Sequence, residues 1–246
     1  MKIRLDELVV ERGMATTLKR ARAMIGAGEV FVNDTLADKA GSIFSREATL
    51  KLKDKCKYVS RGGMKLEKAL NHFQCSPAGW VCADIGASTG GFTDCLLQHG
   101  AGRVYAIDVG YGQFSWKLRQ DSRVIVLERF NARHLSQQTL PEPLDMAVVD
   151  VSFISLTKIL PAVITLFAAP KDIIALIKPQ FELPRSTVSE GNGVVRDEKQ
   201  HDRAIESVLA FAQTLGLGGQ EIVASPLLGP KGNKEFLVRL RSTDWP

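Results

Sequence analysis

Residues 80–92, Trp80-Val81-Cys82-Ala83-Asp84-Ile85-Gly86-Ala87-Ser88-Thr89-Gly90-Gly91-Phe92, hold an apolar run that ends in an acid and a glycine-rich turn. The run WVCADI predicts a buried strand, and the segment from Gly91 to about His99 predicts an amphipathic helix. Glycine lets such a turn bend sharply and bring backbone close to a ligand at the carboxyl edge of a parallel sheet. Further along the chain the pattern repeats. Residues 103–109, 123–128, 144–151 and 172–178 predict strands, and two more lie near 220–225 and 236–241. Helices are expected over about 155–168 and 197–215, whereas the polar, Gly-rich segment 183–196 predicts no regular structure. Strands alternating with helices give an α/β class, a Rossmann-like domain over residues 80–246 with a mostly parallel seven-stranded sheet.

Before this domain the character differs. Leu5, Leu8 and Val9 predict a helix over residues 4–11 that stops at Gly13. Thr16 or Thr17 can cap a second helix to about residue 27, with Gly28 as its left-handed terminator. Ala21, Met24 and Ile25 give that helix an apolar face, and Lys19, Arg20 and Arg22 crowd the other. Short strands follow at 30–34 and 48–53. Residues 1–70 hold 15 Lys and Arg against nine Asp and Glu, a balance of +6, while the whole chain carries only +5. All of the excess positive charge thus sits in the first quarter, as expected of a polyanion-binding module on a near-neutral body. A solvated helix face is the bland alternative. Helix, basic helix and strands within about 60 residues resemble the α+β RNA-binding module of the ribosomal protein S4 type, with LKRARAMIGAGEVFVND as its core. Such a module reads the phosphates of structured RNA by shape. The expected division is residues 1–60 for this module, 61–79 for a linker and first helix, and 80–246 for the α/β domain.

The chain has 246 residues, of which 45% are hydrophobic and 24% charged, ordinary values for a globular protein. Its longest apolar stretch, 161–170, is far short of the roughly 20 residues that span a bilayer. The N-terminus has no apolar core after a basic start, so a cytoplasmic location is expected. Cys56, Cys75, Cys82 and Cys95 form no CxxC pair and have no histidine at metal-ligand spacing. Reduced thiols and no metal site are expected.

Two constellations carry chemistry. The turn residues Asp84, Gly86, Ala87, Ser88, Thr89, Gly90, Gly91 and Phe92 form the first. Serine at position 88 breaks the GxGxxG pattern and weighs against a dinucleotide. Asp108 lies 22 residues past Gly86, where an acid can bond both hydroxyls of a ribose. A cofactor with a free ribose and no pyrophosphate, S-adenosylmethionine, fits better than NAD. Asn131 is placed after the third strand to reach the adenine edge; a routine helix cap is the alternative. The second constellation is Lys65, Asp150, Lys178 and Glu235, four polar residues at element ends. A lysine closing the apolar strand IIALIK is costly unless paired or used.

DIGASTGGFTD, AIDVGYGQ, DVSFISL, IKPQFE and GPKGNKEFL resemble the TlyA family of ribosomal RNA methyltransferases, some of which carry a hemolysin label. The likeness extends over essentially the whole chain. It implies an S4-type module joined to an FtsJ-like catalytic domain and methyl transfer to the 2′-hydroxyl of cytidine. It also implies a Lys-Asp-Lys-Glu tetrad at Lys65, Asp150, Lys178 and Glu235. The expected partner is ribosomal RNA or ribosomal subunits, with no DNA, membrane or metal. A shorter family form acts on large-subunit RNA and a longer one on both subunits; the compact termini point to the shorter.

The residues agree with that implication. The sulfonium methyl is already activated, so the tasks are alignment and removal of a proton. Lys178 can serve as base only when neutral, a state that burial or the Lys65 charge favours. Asp150 would orient Lys178, and Glu235 would position Lys65 or the ribose. DVSF at 150–153 lacks the [DNS]PP[YF] motif of base-amino methylation, which leaves a ribose oxygen as acceptor. The glycines of Arg61-Gly62-Gly63 suggest a joint that couples RNA docking at Arg61 to placement of Lys65, and 183–196 a loop that closes over the ribose. The rival classes are a non-catalytic RNA-binding assembly factor, a nicotinamide oxidoreductase and a membrane-lytic protein. The complete tetrad, Ser88 and the missing apolar span disfavour them in turn.

Overall fold

In the computed structural model, which describes residues 2–53, 56–168 and 170–243, the chain divides into two compact units, Met1–Lys55 and Cys56–Pro246. In the first unit, β1 (Lys2–Arg4), α1 (Leu5–Glu11), α2 (Leu18–Gly26), β2 (Val30–Val32), β3 (Thr35–Leu36), β4 (Ile43–Ser45) and β5 (Leu50–Leu52) follow in order. Thr17 caps α2 by accepting from the Arg20 amide, and Gly28 follows the helix at φ +66°. β2 lies between β3 and β5, and β1 pairs with β4, all antiparallel. Leu5, Leu8, Val9, Ala21, Met24 and Ile25 form a core with Val30 and Val32, so the apolar faces of both helices are spent on one small interior.

The second unit opens with α3 (Gly62–His72), inside the segment read as linker and first helix. It continues through β6 (Val81–Ile85), α4 (Gly91–Gln98), β7 (Arg103–Ile107), α5 (Trp116–Arg119), β8 (Val124–Leu127) and β9 (Met146–Val149). Then come α6 (Leu160–Val163), β10 (Asp172–Ile177), α7 (Pro179–Glu182), α8 (Arg185–Glu190), α9 (Glu198–Thr214), β11 (Leu217–Ala224) and β12 (Phe236–Ser242). The seven strands lie in the order β11-β12-β10-β9-β6-β7-β8. Those from β10 to β8 run parallel, and β12 is inserted antiparallel between β10 and β11. Alternate residues of each strand enter two separate cores. Ile85, Ile107, Val149 and Ile177 face Leu160, Val208 and Ala212 on one side. Cys82, Val104, Val148 and Leu176 face Leu66, Leu70, Phe92 and Leu96 on the other. Burial on both faces is why these strands read as unbroken apolar runs.

Two expectations are corrected. The helix over 155–168 is broken into a 3-10 turn at Leu156–Lys158, the short α6 and another 3-10 turn at Ile164–Leu166. Pro161 has no N–H to continue a helix and sits in the first turn of α6. Conversely, 183–196 is not devoid of structure: α8 starts directly after Pro184. Val188 packs there against Leu183, Val195 and Ala204, apolar contacts that the polar composition conceals. No helix among the described residues is long and apolar enough to cross a membrane.

Candidate active site

Strand register assembles the site. Ile85 pairs with Ile107 on one side and Val149 on the other, so the next residues, Gly86, Asp108 and Asp150, share one level at the carboxyl edge. Ile177 pairs with Phe236, which sets Lys178, at the end of β10, opposite Glu235 before β12. Here the order reverses, because β7 lies on one side of β6 and β9 on the other; ligands bind at such switch points.

The glycines are dictated by close approach. Gly86 has φ +90°, and a Cβ there would meet the Asp150 carbonyl oxygen at 2.4 Å. Gly90 has φ +94°, with Leu118 Cδ1 2.5 Å from its would-be Cβ. A Cβ on Gly91 would strike Ser60 Oγ at 2.3 Å and the Gly63 nitrogen at 2.9 Å, and one on Gly63 would strike the Tyr58 ring at 2.3 Å. The glycines read as a joint therefore include a tight-packing position, where α3 meets Tyr58 and the start of α4. Ser88 is itself left-handed, at φ +49°.

Asp84 is fully buried, and its Oδ2 accepts from the amide of Thr93 at 2.9 Å and its hydroxyl at 2.7 Å. Its Oδ1 has no partner. Burial pushes this carboxyl up to about 7, although the Thr93 bonds pull the other way. Asp108 accepts the amides of Ser88 at 2.7 Å and Gly110 at 2.6 Å, which fixes its carboxylate across the loop. Asn131 caps the 3-10 turn Ala132–His134 through the Arg133 amide.

The four residues at element ends form two ion pairs. Lys65 Nζ lies 2.5 Å from Glu235 Oε2, and Lys178 Nζ lies 2.5 Å from Asp150 Oδ1. Glu235 and Lys178 are buried, a placement tolerable for charges only when they are paired. Glu235 Oε1 is without a hydrogen-bond partner. A Cβ at Gly229 would overlap that oxygen, so glycine there is what admits the carboxylate.

Two cavities meet at Gly86, Ser88 and Asp150. One, of about 530 Å³, is lined by Arg61, Lys65, Asp84, Gly86, Ala87, Ser88, Thr89, Gly91, Phe92 and the loop Leu227 to Lys231. The other, of about 600 Å³, is lined by Asp108, Val109, Asn131, Arg133 and residues 150–154. Among the expected turn residues only Gly90 lines neither; it faces Leu118 and Phe114. Residues 183–196 line neither cavity, and Asn233 ties Gly193 and Val195 to the Pro230–Gly232 turn. Lys19, Arg20 and Arg22 are exposed on α2, with Arg22 Nε donating to the buried Asp6 at 2.7 Å.

Two residues escaped the sequence reading although they stand in the quoted DVSF. Ser152 Oγ accepts from Lys178 Nζ at 2.9 Å. Phe153 is 91% exposed with φ +65°, a conformation that a bulky residue adopts only where its surroundings impose it. Neither position nor residue type signalled this, since a serine and a phenylalanine after a strand are ordinary.

Residues 58–242 match the FtsJ-like methyltransferase family, and residues 3–50 match the S4 domain. The chain is 43% identical over 243 residues to TlyA of Mycobacterium tuberculosis, named a 16S/23S rRNA (cytidine-2′-O)-methyltransferase; the match covers 98% of this chain and 90% of TlyA. It is 41% identical over 239 residues to Hemolysin A of Brachyspira hyodysenteriae, covering 96% and 98% respectively. A solved structure from Streptococcus thermophilus that carries a hemolysin name superposes with a TM-score of 0.77. That pair is 44% identical, with 100% of this chain and 90% of the other covered.

Proposed function

We propose that this chain, which belongs to the FtsJ-like methyltransferase family, methylates the ribose 2′-hydroxyl of a cytidine in ribosomal RNA, with S-adenosylmethionine as methyl donor. The observation that carries the reading is the pair of ion pairs, Lys65–Glu235 and Lys178–Asp150, beside two cavities that meet at Gly86 and Asp150. Three side chains support the choice of cofactor. Asp108 and Asn131 line the cavity that would take an adenosine. The unpartnered Asp84 Oδ1 lies at the other cavity, where it would meet an ammonium group, and a buried acceptor without a donor calls for one. When bound, S-adenosylmethionine supplies a methyl group already activated on a positively charged sulfur.

The chain's residues then have two tasks. The first is to hold the acceptor: exposed Arg61, which lines one cavity, would meet a phosphate, Phe153 offers a free aromatic face to a nucleobase, and buried Glu235 would position Lys65. The second is to take the proton. Neutral Lys178 accepts it from the 2′-hydroxyl, and Asp150 stabilises the ammonium that results. A general base of this kind contributes about 10²–10⁴ in rate. The S4-type unit would add phosphate contacts through Lys19, Arg20 and Arg22.

The test is methyl transfer from radiolabelled S-adenosylmethionine to intact ribosomal subunits, followed by digestion to nucleosides. Label should appear in 2′-O-methylcytidine, and Asp150→Ala or Lys178→Ala should lower turnover by about 10²–10⁴ while S-adenosylhomocysteine still binds. Label on a base, or an Asp150→Ala enzyme with normal turnover, overturns the reading.

A further inference from the structure

Lys178 follows β10 and immediately precedes α7. Its Nζ donates one hydrogen bond, to Ser152 Oγ at 2.9 Å, and is ion-paired with Asp150 Oδ1 at 2.5 Å, a contact without hydrogen-bond geometry. A neutral amine has two N–H bonds and one lone pair, set at tetrahedral angles, so the N–H directed at Ser152 leaves the lone pair only the positions around that one bond. Ser152, a neutral acceptor, can steer the amine through its hydrogen bond.

The serine is itself fixed. Loop 152–156 is fastened to α7 at successive levels: Lys178 to Ser152, the Phe181 ring 5.2 Å from that of Phe153, and Glu182 to Ser155 and Leu156. Glu182 accepts the Ser155 hydroxyl at 2.5 Å and the Leu156 amide at 2.9 Å. The element that carries Lys178 and the loop that carries its partners therefore move together.

We propose that Ser152 is a positioning residue that, with Asp150, turns the lone pair of neutral Lys178 toward the substrate hydroxyl. The inference rests on reading Lys178 as the proton acceptor. In the complete chain, Ser152→Ala should lower the alkaline plateau of the kcat profile by about 10- to 100-fold, the cost of a misaligned reacting group. KM for RNA and calorimetric affinity for S-adenosylhomocysteine should not change, and Ser152→Thr should restore turnover. Ser152 is exposed to the cavity, so its truncation leaves no hole in the core. A readout independent of turnover is the NMR signal of the Lys178 amine in ¹⁵N-lysine-labelled protein, whose exchange with water should speed up in Ser152→Ala. An unchanged plateau overturns the proposal. So does a loss of S-adenosylhomocysteine affinity as large as the loss of kcat, which makes Ser152 a cofactor contact. Lys178→Met separates the two levels: if it stays active, the reading of Lys178 itself falls. If it is inactive while Ser152→Ala turns over normally, only the role of Ser152 falls.

Discussion

Asp84 looks in the sequence like one acid among the residues of a ligand turn, and its surroundings make it a carboxylate that is costly to charge. It is completely buried, with one oxygen on Thr93 and the other on nothing. Burial lifts it from 3.8 to about 7. Because the folded value lies above the unfolded one, the carboxyl costs no stability below about pH 4. The cost grows as pH rises toward 7 and is complete above it. Asp84→Asn should therefore raise the melting temperature at pH 8 and leave it unchanged at pH 4; the gain at pH 8 is at most about 4 kcal/mol. A melt that shows no pH-dependent difference between the two proteins would contradict this. If Asp84 meets the ammonium of the cofactor, S-adenosylhomocysteine binding at pH 6 should release a proton, read as a dependence of the calorimetric heat on buffer. The same substitution should abolish that release.

At the scale of elements, the strands of the large sheet were legible, whereas short helices and the strands β1, β3 and β4 of the first unit were not. β6, β7, β9 and β10 are apolar on both faces, so composition alone announces them. α5, α7 and α8 are four to six residues long, too short to be stable by propensity, and they exist because neighbours hold them. The same dependence governs the turn after β6. Glycine at 86 could be read as freedom to bend, but what requires it is the Asp150 carbonyl 2.4 Å from where a Cβ would stand. Gly86→Ala combines that overlap with a left-handed backbone, and should cost about 1–3 kcal/mol. It should also push β6 and β9 apart at their ends, so that S-adenosylhomocysteine affinity falls along with the denaturation midpoint. An alanine variant with parental stability and affinity would show the turn to be slack. Gly62 and Gly63 invite a hinge reading in sequence, whereas Gly63 is held against the Tyr58 ring.

At the scale of the molecule, charge and chemistry are divided between two units. The exposed cations of α2 belong to the first, while both ion pairs of the site lie within the second. Replacing Lys19 and Arg20 together by alanine should raise KM for RNA and reduce the salt slope of RNA binding by about two. kcat and S-adenosylhomocysteine affinity should be spared; a fall in kcat at saturating RNA would show that these cations do more than tether. Arg22 belongs to a different class from its two neighbours. The Arg4 guanidinium first, and that of Arg22 after it, hold the buried Asp6 down at about 2, so removal of Arg22 disturbs the first unit as well as its basic surface.

From the sequence alone came the α/β class, the polyanion-binding character of the first quarter, and the identity of nearly every residue at the sheet edge. These follow from composition and period, which local chemistry writes into the chain. The tertiary structure decided how those residues are paired: Lys65 with Glu235 and Lys178 with Asp150, across 170 and 28 positions of chain. It also decided that Ser152 and Phe153 belong beside them. Pairings of that kind depend on which strands lie side by side and at what register, and no window of sequence contains that information.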